Sequence, residues 1–190
     1  MAPLYHYMYT EKALNVFKND AMPARWEHEI PHQGLVKGNS LTRNQNPKMF
    51  GNRLVRLVFD QSKLAQTNKI IPLDGERVFR FTQSSMDEPD QRPHNIRLAA
   101  RNNFNDRIIN QRSNYQLAEE FVVGDIAPLH KYLKRVEIRS GNFYHIRGVD
   151  AVAIKDLVVE YCNKYDIELI ISPEFLRQVE EINSRWEEDE

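Results

Sequence analysis

Through the first two thirds of the chain the apolar positions fall in short runs broken by polar ones, whereas in the last third they recur at helical spacing. Leu4 to Tyr9 is aromatic-rich and predicts a strand, and Thr10 is placed to cap a helix running to about Asn19. Ala13, Leu14, Phe17 and Ala21 keep the helical period, and Met22-Pro23 stops it. Residues 24–37 have no period and read as a loop carrying Trp26, His28 and His32. Asn39 to Arg43 predicts a short strand, Asn44 to Asn52 a polar turn region, and Arg53 to Phe59 a firm strand with at least one buried face.

Asp60 then caps a turn of helix through Ala65, and Lys69 to Pro72 and Arg77 to Thr82 are further short strands. Residues 83–95 read as an exposed loop, 96–108 as room for a helical turn, and 102–116 as a polar loop with seven Asn or Gln residues. Pro128 to Tyr132 predicts one helical turn and Lys134 to Arg139 an alternating strand. Beyond them Asp150 caps a helix to Tyr165, Ile167 to Ile171 is a strand, and Ser172-Pro173-Glu174 opens a last helix to Trp186. Val152, Leu157, Val158, Tyr161 and Cys162 are expected on one face of the first helix, and Phe175, Leu176, Val179 and Ile182 on one face of the second. That is too much apolar surface to leave exposed, so packing on the preceding sheet is expected.

Composition narrows this picture. The 190 residues, 41% of them apolar, suffice for one good core, so a single α+β domain spanning 1–190 is expected. A net charge of -1 provides no overall field for nucleic acid or a membrane. The charges are segregated, however. Residues 35–59 hold Lys37, Arg43, Lys48, Arg53 and Arg56 with no acid, 91–115 hold five arginines against Asp106, and Glu187 to Glu190 form an acidic tail. This predicts a basic face suited to phosphate. The single cysteine, Cys162, rules out an internal disulfide and reads as core. The opening MAPLYHYMYT has no signal-like pattern and no apolar run is long enough to span a bilayer, so a cytoplasmic protein with no membrane partner is expected.

The chemistry gathers at Tyr115 to Ile126, where adjacent carboxylates, Glu119 and Glu120, enter a run of β-formers closed by Gly124-Asp125. Strand alternation sends them to opposite faces, one outward and one inward. An inward carboxylate is costly unless paired or functional, so it is either a buried salt bridge or a site; on these residues alone the salt bridge is preferred. There is no Gly-rich phosphate loop, G-x-S-x-G elbow or H-E-x-x-H, and the six histidines lack ligand spacing, so no metal is expected. Three polar signals remain on three strands: His6 in Leu4-Tyr5-His6-Tyr7, Ser40-Leu41-Thr42-Arg43, and Glu119-Glu120. Taken singly, each has a structural reading: a satisfied strand histidine, an edge or turn pair, a surface charge.

In this order the three signals resemble the ADP-ribosyltransferase superfamily, closest to the DNA-targeting ADP-ribosyltransferase toxins and similar phage-encoded proteins. The matching stretches are Leu4 to Leu14 against a Tyr-His-x-Thr strand and short helix, Ser40 to Arg43 against Ser-x-Thr-Arg, and Ala118 to Val123 against Ala-Glu-Phe-hydrophobic-Val. Met8 stands where the toxins have Thr, and the doubled glutamate allows either Glu120 or Glu119 as the catalytic one. The likeness spans about residues 3–138 and leaves 149–190 as a helix-strand-helix extension.

The resemblance implies a split β-sheet core with flanking helices that grips NAD as co-substrate. It places His6 on the adenine-side ribose, Ser40 and Thr42 around the nicotinamide, and Arg43 on the pyrophosphate, with Tyr7 counted among the NAD-binding residues. The loop bearing Arg107, Arg112, Tyr115 and Gln116 would face the acceptor. The implied activity is transfer of ADP-ribose from NAD to a macromolecule, nucleic acid before protein, in the host cytoplasm if the protein is phage-encoded. The alternatives are a catalytically silent nucleic-acid or partner-binding protein on the same fold, and an NAD glycohydrolase or RNA 2′-phosphotransferase-like enzyme.

Overall fold

In a computed structural model, residues 3–30, 34–43, 45, 53–72, 119–140 and 148–188 are described. The candidate strand at 77–82, the loop and helical turn expected between 83 and 116, and the acceptor residues Arg107, Arg112, Tyr115 and Gln116 lie outside them.

The described chain is α+β, with eight strands in one mixed sheet: β1 (Leu4–Met8), β2 (Trp26–Ile30), β3 (Gly34–Thr42), β4 (Val55–Phe59), β5 (Ile70–Pro72), β6 (Glu119–Val123), β7 (Leu133–Ile138) and β8 (Glu168–Ile171). Their order is β5-β6-β3-β1-β4-β7-β8, with β2 paired to β3 as a hairpin. All pairings are antiparallel except β7 with β8. The helices are α1 (Thr10–Asn19), α2 (Gln61–Thr67), α3 (Gly148–Tyr165) and α4 (Pro173–Glu188), with a 3-10 turn at Leu129–Lys131.

β1 and β4 lie at the centre and every one of their residues is buried, which explains their near-continuous apolar runs. β1 follows β4 through five pairs, from Leu4↔Phe59 to Met8↔Val55, but meets β3 at Tyr5↔Thr42 alone. The sheet is therefore narrowest in its pairing at the β1/β3 seam. On one face of β1 and β4, Leu4, Met8, Val55, Leu57 and Phe59 join the main core, which continues into Phe17 of α1, Ile154, Val158, Tyr161 and Cys162 of α3, and Phe175 and Val179 of α4. On the other face Tyr5, Tyr7 and Val58 form a smaller cluster.

Four expectations are revised, one of them in α3, which begins at Gly148 and so has Asp150 as its third residue and not its cap. Residues 24–37 do not form a loop: they contain β2 and the first part of β3. That hairpin exposes Trp26 and Leu35, so among its described side chains there is no buried period, and it is held by its backbone ladder. The cap of α1 is Tyr9, with no side-chain hydrogen bond to the helix, and Thr10 is the first helical residue. Leu176 is exposed, since α4 buries the i, i+4 pair Phe175 and Val179 instead; Ile182 lies in α4 outside the residues whose side chains are described. Asp60 does cap α2, its Oδ1 accepting from the Ser62 and Lys63 amides at 2.9 and 3.2 Å.

Candidate functional site

The strands carrying the three sequence signals are neighbours, in the order β6-β3-β1. Facing residues of an antiparallel pair share a side of the sheet and successive residues alternate, so the register decides which side chains meet. Thr42 faces Tyr5, which leaves Leu41 on the side of His6; Leu41 in turn faces Glu120. His6 and Glu120 thus project from the same side, and Arg43, two residues beyond Leu41, joins them.

Arg43 Nε donates to Glu120 Oε1 at 2.5 Å, and both side chains are almost completely buried. This is the inward carboxylate and the salt bridge foreseen from strand alternation. It also gives Arg43 a partner other than the pyrophosphate that the resemblance implied. Glu119 stands opposite Thr42 in the register.

His6 is buried, and its Nδ1–H donates across the seam to the Ser40 carbonyl at 2.8 Å. Its Nε2 is then the bare nitrogen, and the Lys12 ammonium of α1 lies 3.3 Å from it. Burial, followed by the charge of Lys12, pushes the His6 pKa down to about 3, against an upward pull from the Ser40 carbonyl. His6 is thus a neutral imidazole in a fixed tautomer.

Tyr7, Ser40 and Thr42 are turned to the other side. Tyr7 is buried there and its hydroxyl donates to the Gln45 carbonyl, while Ser40 is half-buried and Thr42 buried. Nearby Arg56 is paired with Glu137, which also receives Arg135 at 2.7 Å. The basic stretch 35–59 is therefore largely neutralised from within: Lys37 meets Glu27 at 3.0 Å, Arg43 meets Glu120, and Arg56 meets Glu137.

Sequence reasoning missed Lys12 and Arg53. Arg53 donates to the Tyr7 carbonyl at 3.1 Å and lies over the Tyr9 ring, 4.4 Å from its centroid. Lys12 lies within the matched stretch Leu4 to Leu14 but has no role there, and Arg53 lies in none; Lys12 reaches His6 from the first turn of α1, and Arg53 reaches the Tyr7 carbonyl from the entry into β4. A second unforeseen cluster lies outside the site, where Asp20 Oδ2 meets His130 Nδ1 at 2.5 Å and Asp20 Oδ1 accepts from the Tyr161 hydroxyl.

Among the described residues no group of His, Cys, Asp and Glu is placed to hold a metal ion, and no helix is long and apolar enough to cross a membrane. No family model matches the chain, and no curated protein or solved structure matches it either.

Proposed function

We propose that the protein is a mono-ADP-ribosyltransferase that takes NAD as co-substrate and modifies a macromolecule, with nucleic acid favoured over protein. The observation that carries this reading is the convergence of His6, Arg43 and Glu120 on one side of three neighbouring strands, with the carboxylate buried against a guanidinium at 2.5 Å. The narrow β1/β3 seam beside them agrees with a split-sheet core.

The chemistry fits these groups. When the nicotinamide–ribose bond breaks, nicotinamide leaves with the bonding electron pair and positive charge spreads over the ribose C1′ and ring oxygen. A fixed carboxylate stabilises that charge, as in glycoside hydrolysis, and the acceptor nucleophile then bonds to C1′ and loses its proton. Glu120 is assigned this role in preference to Glu119. Arg43 is the positioning residue that holds the Glu120 carboxylate. Neutral His6, its Nδ1–H held by the Ser40 carbonyl and its Nε2 beside the Lys12 ammonium, is ill suited to proton transfer near neutral pH.

The preference for nucleic acid rests on the arginines of 91–115, since three of the five cations in 35–59 are internally paired. Mass spectrometry of DNA, RNA and protein pools incubated with the protein and NAD tests the reading. ADP-ribose adducts on oligonucleotides are expected. NAD left intact in every pool would remove the enzyme reading and favour a silent binding protein.

A further inference from the structure

The side of the sheet turned away from the main core carries a row of aromatic rings. Tyr5 and Tyr7 of β1 project there, and Tyr9, which prolongs β1 in an extended conformation, projects with them. Guanidinium groups lie over all three. Arg56 is 5.4 Å from the Tyr5 centroid, Arg139 is 5.4 Å from that of Tyr7, and Arg53, anchored on the Tyr7 carbonyl, is 4.4 Å from that of Tyr9. The row comes to the surface at its end: Tyr5 and Tyr7 are buried, whereas Tyr9 is 51% exposed.

The register brings a further ring to that end. Thr42 pairs with Tyr5, so Gly38, an even number of residues back along β3, faces the same side, and so does its partner Trp26. Gly38 pairs with Val123 of β6 across its other edge, which puts β2 along the edge of β3 that β1 also follows. Four residues on from the Tyr5↔Thr42 pair the antiparallel strands reach Tyr9 and Gly38, so Tyr9 and Trp26 emerge at one level, where β1 and β3 part. Trp26 is 56% exposed, and Gly38 opposite it has no side chain to cover it.

Charge along this face is graded in the same direction. Glu119, Glu137 and Glu168 stand in the register at the levels of Tyr5 and Tyr7, and Arg56 and Arg135 engage Glu137 there. Arg53 and Arg139 stand at the Tyr9 end, where the Arg139 amide bonds to the Leu54 carbonyl. Of the acids adjacent in sequence to the exposed rings, Glu11 is on α1 and Glu27 is turned to the opposite face of the hairpin, where it meets Lys37 at 3.0 Å.

We propose that Tyr9 and Trp26, with Arg53 over the Tyr9 ring, form a stacking surface for single-stranded nucleic acid. The inference rests on the nucleic-acid reading above and assigns the place where that acceptor is held. Bases of a single strand have free faces to lay on the two rings, its phosphates suit the cationic end of the face, and every base has a π-face, so the surface is tolerant of sequence. Tyr9 leads directly into the first turn of α1, whose Lys12 touches His6, so a strand held there runs beside the candidate site.

Fluorescence anisotropy of labelled single-stranded DNA and RNA oligonucleotides, titrated with the full chain in the absence of NAD, tests the surface. Wild type is expected to bind both and to prefer them to a duplex of the same sequence. Trp26→Ala and Tyr9→Ala should each weaken binding by about five- to a hundredfold, and Trp26→Phe, which keeps a ring, by much less. Adducts formed on the same oligonucleotides with NAD are read separately. Binding that the alanine variants lose, without any ADP-ribose adduct in wild type, supports the surface and removes the transferase reading. Adducts accompanied by unchanged binding in both alanine variants keep that reading and overturn the surface. Equal affinity of wild type for duplex and single strand, no affinity for either, or a wild-type dimer that Trp26→Ala dissolves would overturn it as well.

Discussion

At the scale of single residues, Arg43 and Glu120 explain themselves poorly as stabilising elements. Desolvating two charges offsets most of what their attraction returns, and apolar replacement of a buried pair is often neutral or favourable. Removing one partner strands the other, so Arg43→Met is expected to cost about 3–5 kcal/mol in chemical denaturation, while Arg43→Met with Glu120→Leu recovers most of that and remains inactive. A double variant much less stable than wild type would return the pair to a structural role.

His6 adds a pH dependence whose sign is determined by its depressed pKa. The unfolded chain takes up a proton near 6.5 that the folded chain accepts only near 3, so the stability from His6 is complete above 6.5 and lost as pH falls from there toward 3. Urea midpoints measured across that window should decline in wild type and flatten in His6→Gln; equal slopes would contradict the buried neutral imidazole. His6, Arg43 and Glu120 were legible because their residue types are unusual in strands. Lys12 and Arg53 were not, because a lysine on a helix and an arginine before a strand are ordinary until packing brings one to His6 and the other to the Tyr7 carbonyl.

At the scale of elements, periodicity revealed strands whose apolar positions are buried and missed β2, whose described side chains Trp26 and Glu27 are exposed. β4 was legible as Arg53 to Phe59 from its apolar run, whereas Trp26-Glu27-His28-Glu29-Ile30 is an edge strand whose partner is the β3 backbone. The β3/β6 pairing has a stricter requirement at Gly38. A Cβ there would stand 2.2 Å from the Val122 carbonyl oxygen and 2.7 Å from the Phe121 ring, closer than packed atoms approach. Gly38→Ala must therefore push β6 away from β3, and with it Glu120, two residues from Val122. The expected result is a loss of at least about 2 kcal/mol, within the range for overpacking, accompanied by reduced turnover. An alanine variant with wild-type stability and activity would show that the approach is looser than the structure has it.

At the scale of the whole molecule, the last third is continuous with the rest. β8 extends the sheet in parallel beside β7, α3 and α4 supply Ile154, Val158, Tyr161, Cys162, Phe175 and Val179 to the main core, and Tyr161 bonds to Asp20 at the end of α1. The helical spacing of residues 150–186 made these elements and their apolar faces readable. The Asp20–His130–Tyr161 tie was not, because its members are 110 and 141 residues apart and nothing local marks them. A chain ending at Ser140 would uncover that core and is expected to elute as aggregate in size-exclusion chromatography. A soluble monomer would instead make 148–188 a separable unit.

The central claim is that Glu120, held by Arg43 beside His6, stabilises the charge formed when the nicotinamide–ribose bond of NAD breaks. Nicotinamide release, followed with NAD and a mixed nucleic-acid pool for wild type, Glu120→Gln and Glu119→Gln, bears on it most directly. Because the carboxylate acts chiefly in the transition state, Glu120→Gln should lower turnover by orders of magnitude with NAD affinity nearly unchanged, and Glu119→Gln should do far less. Equal nicotinamide release by wild type and Glu120→Gln, or collapse in Glu119→Gln alone, would contradict the assignment.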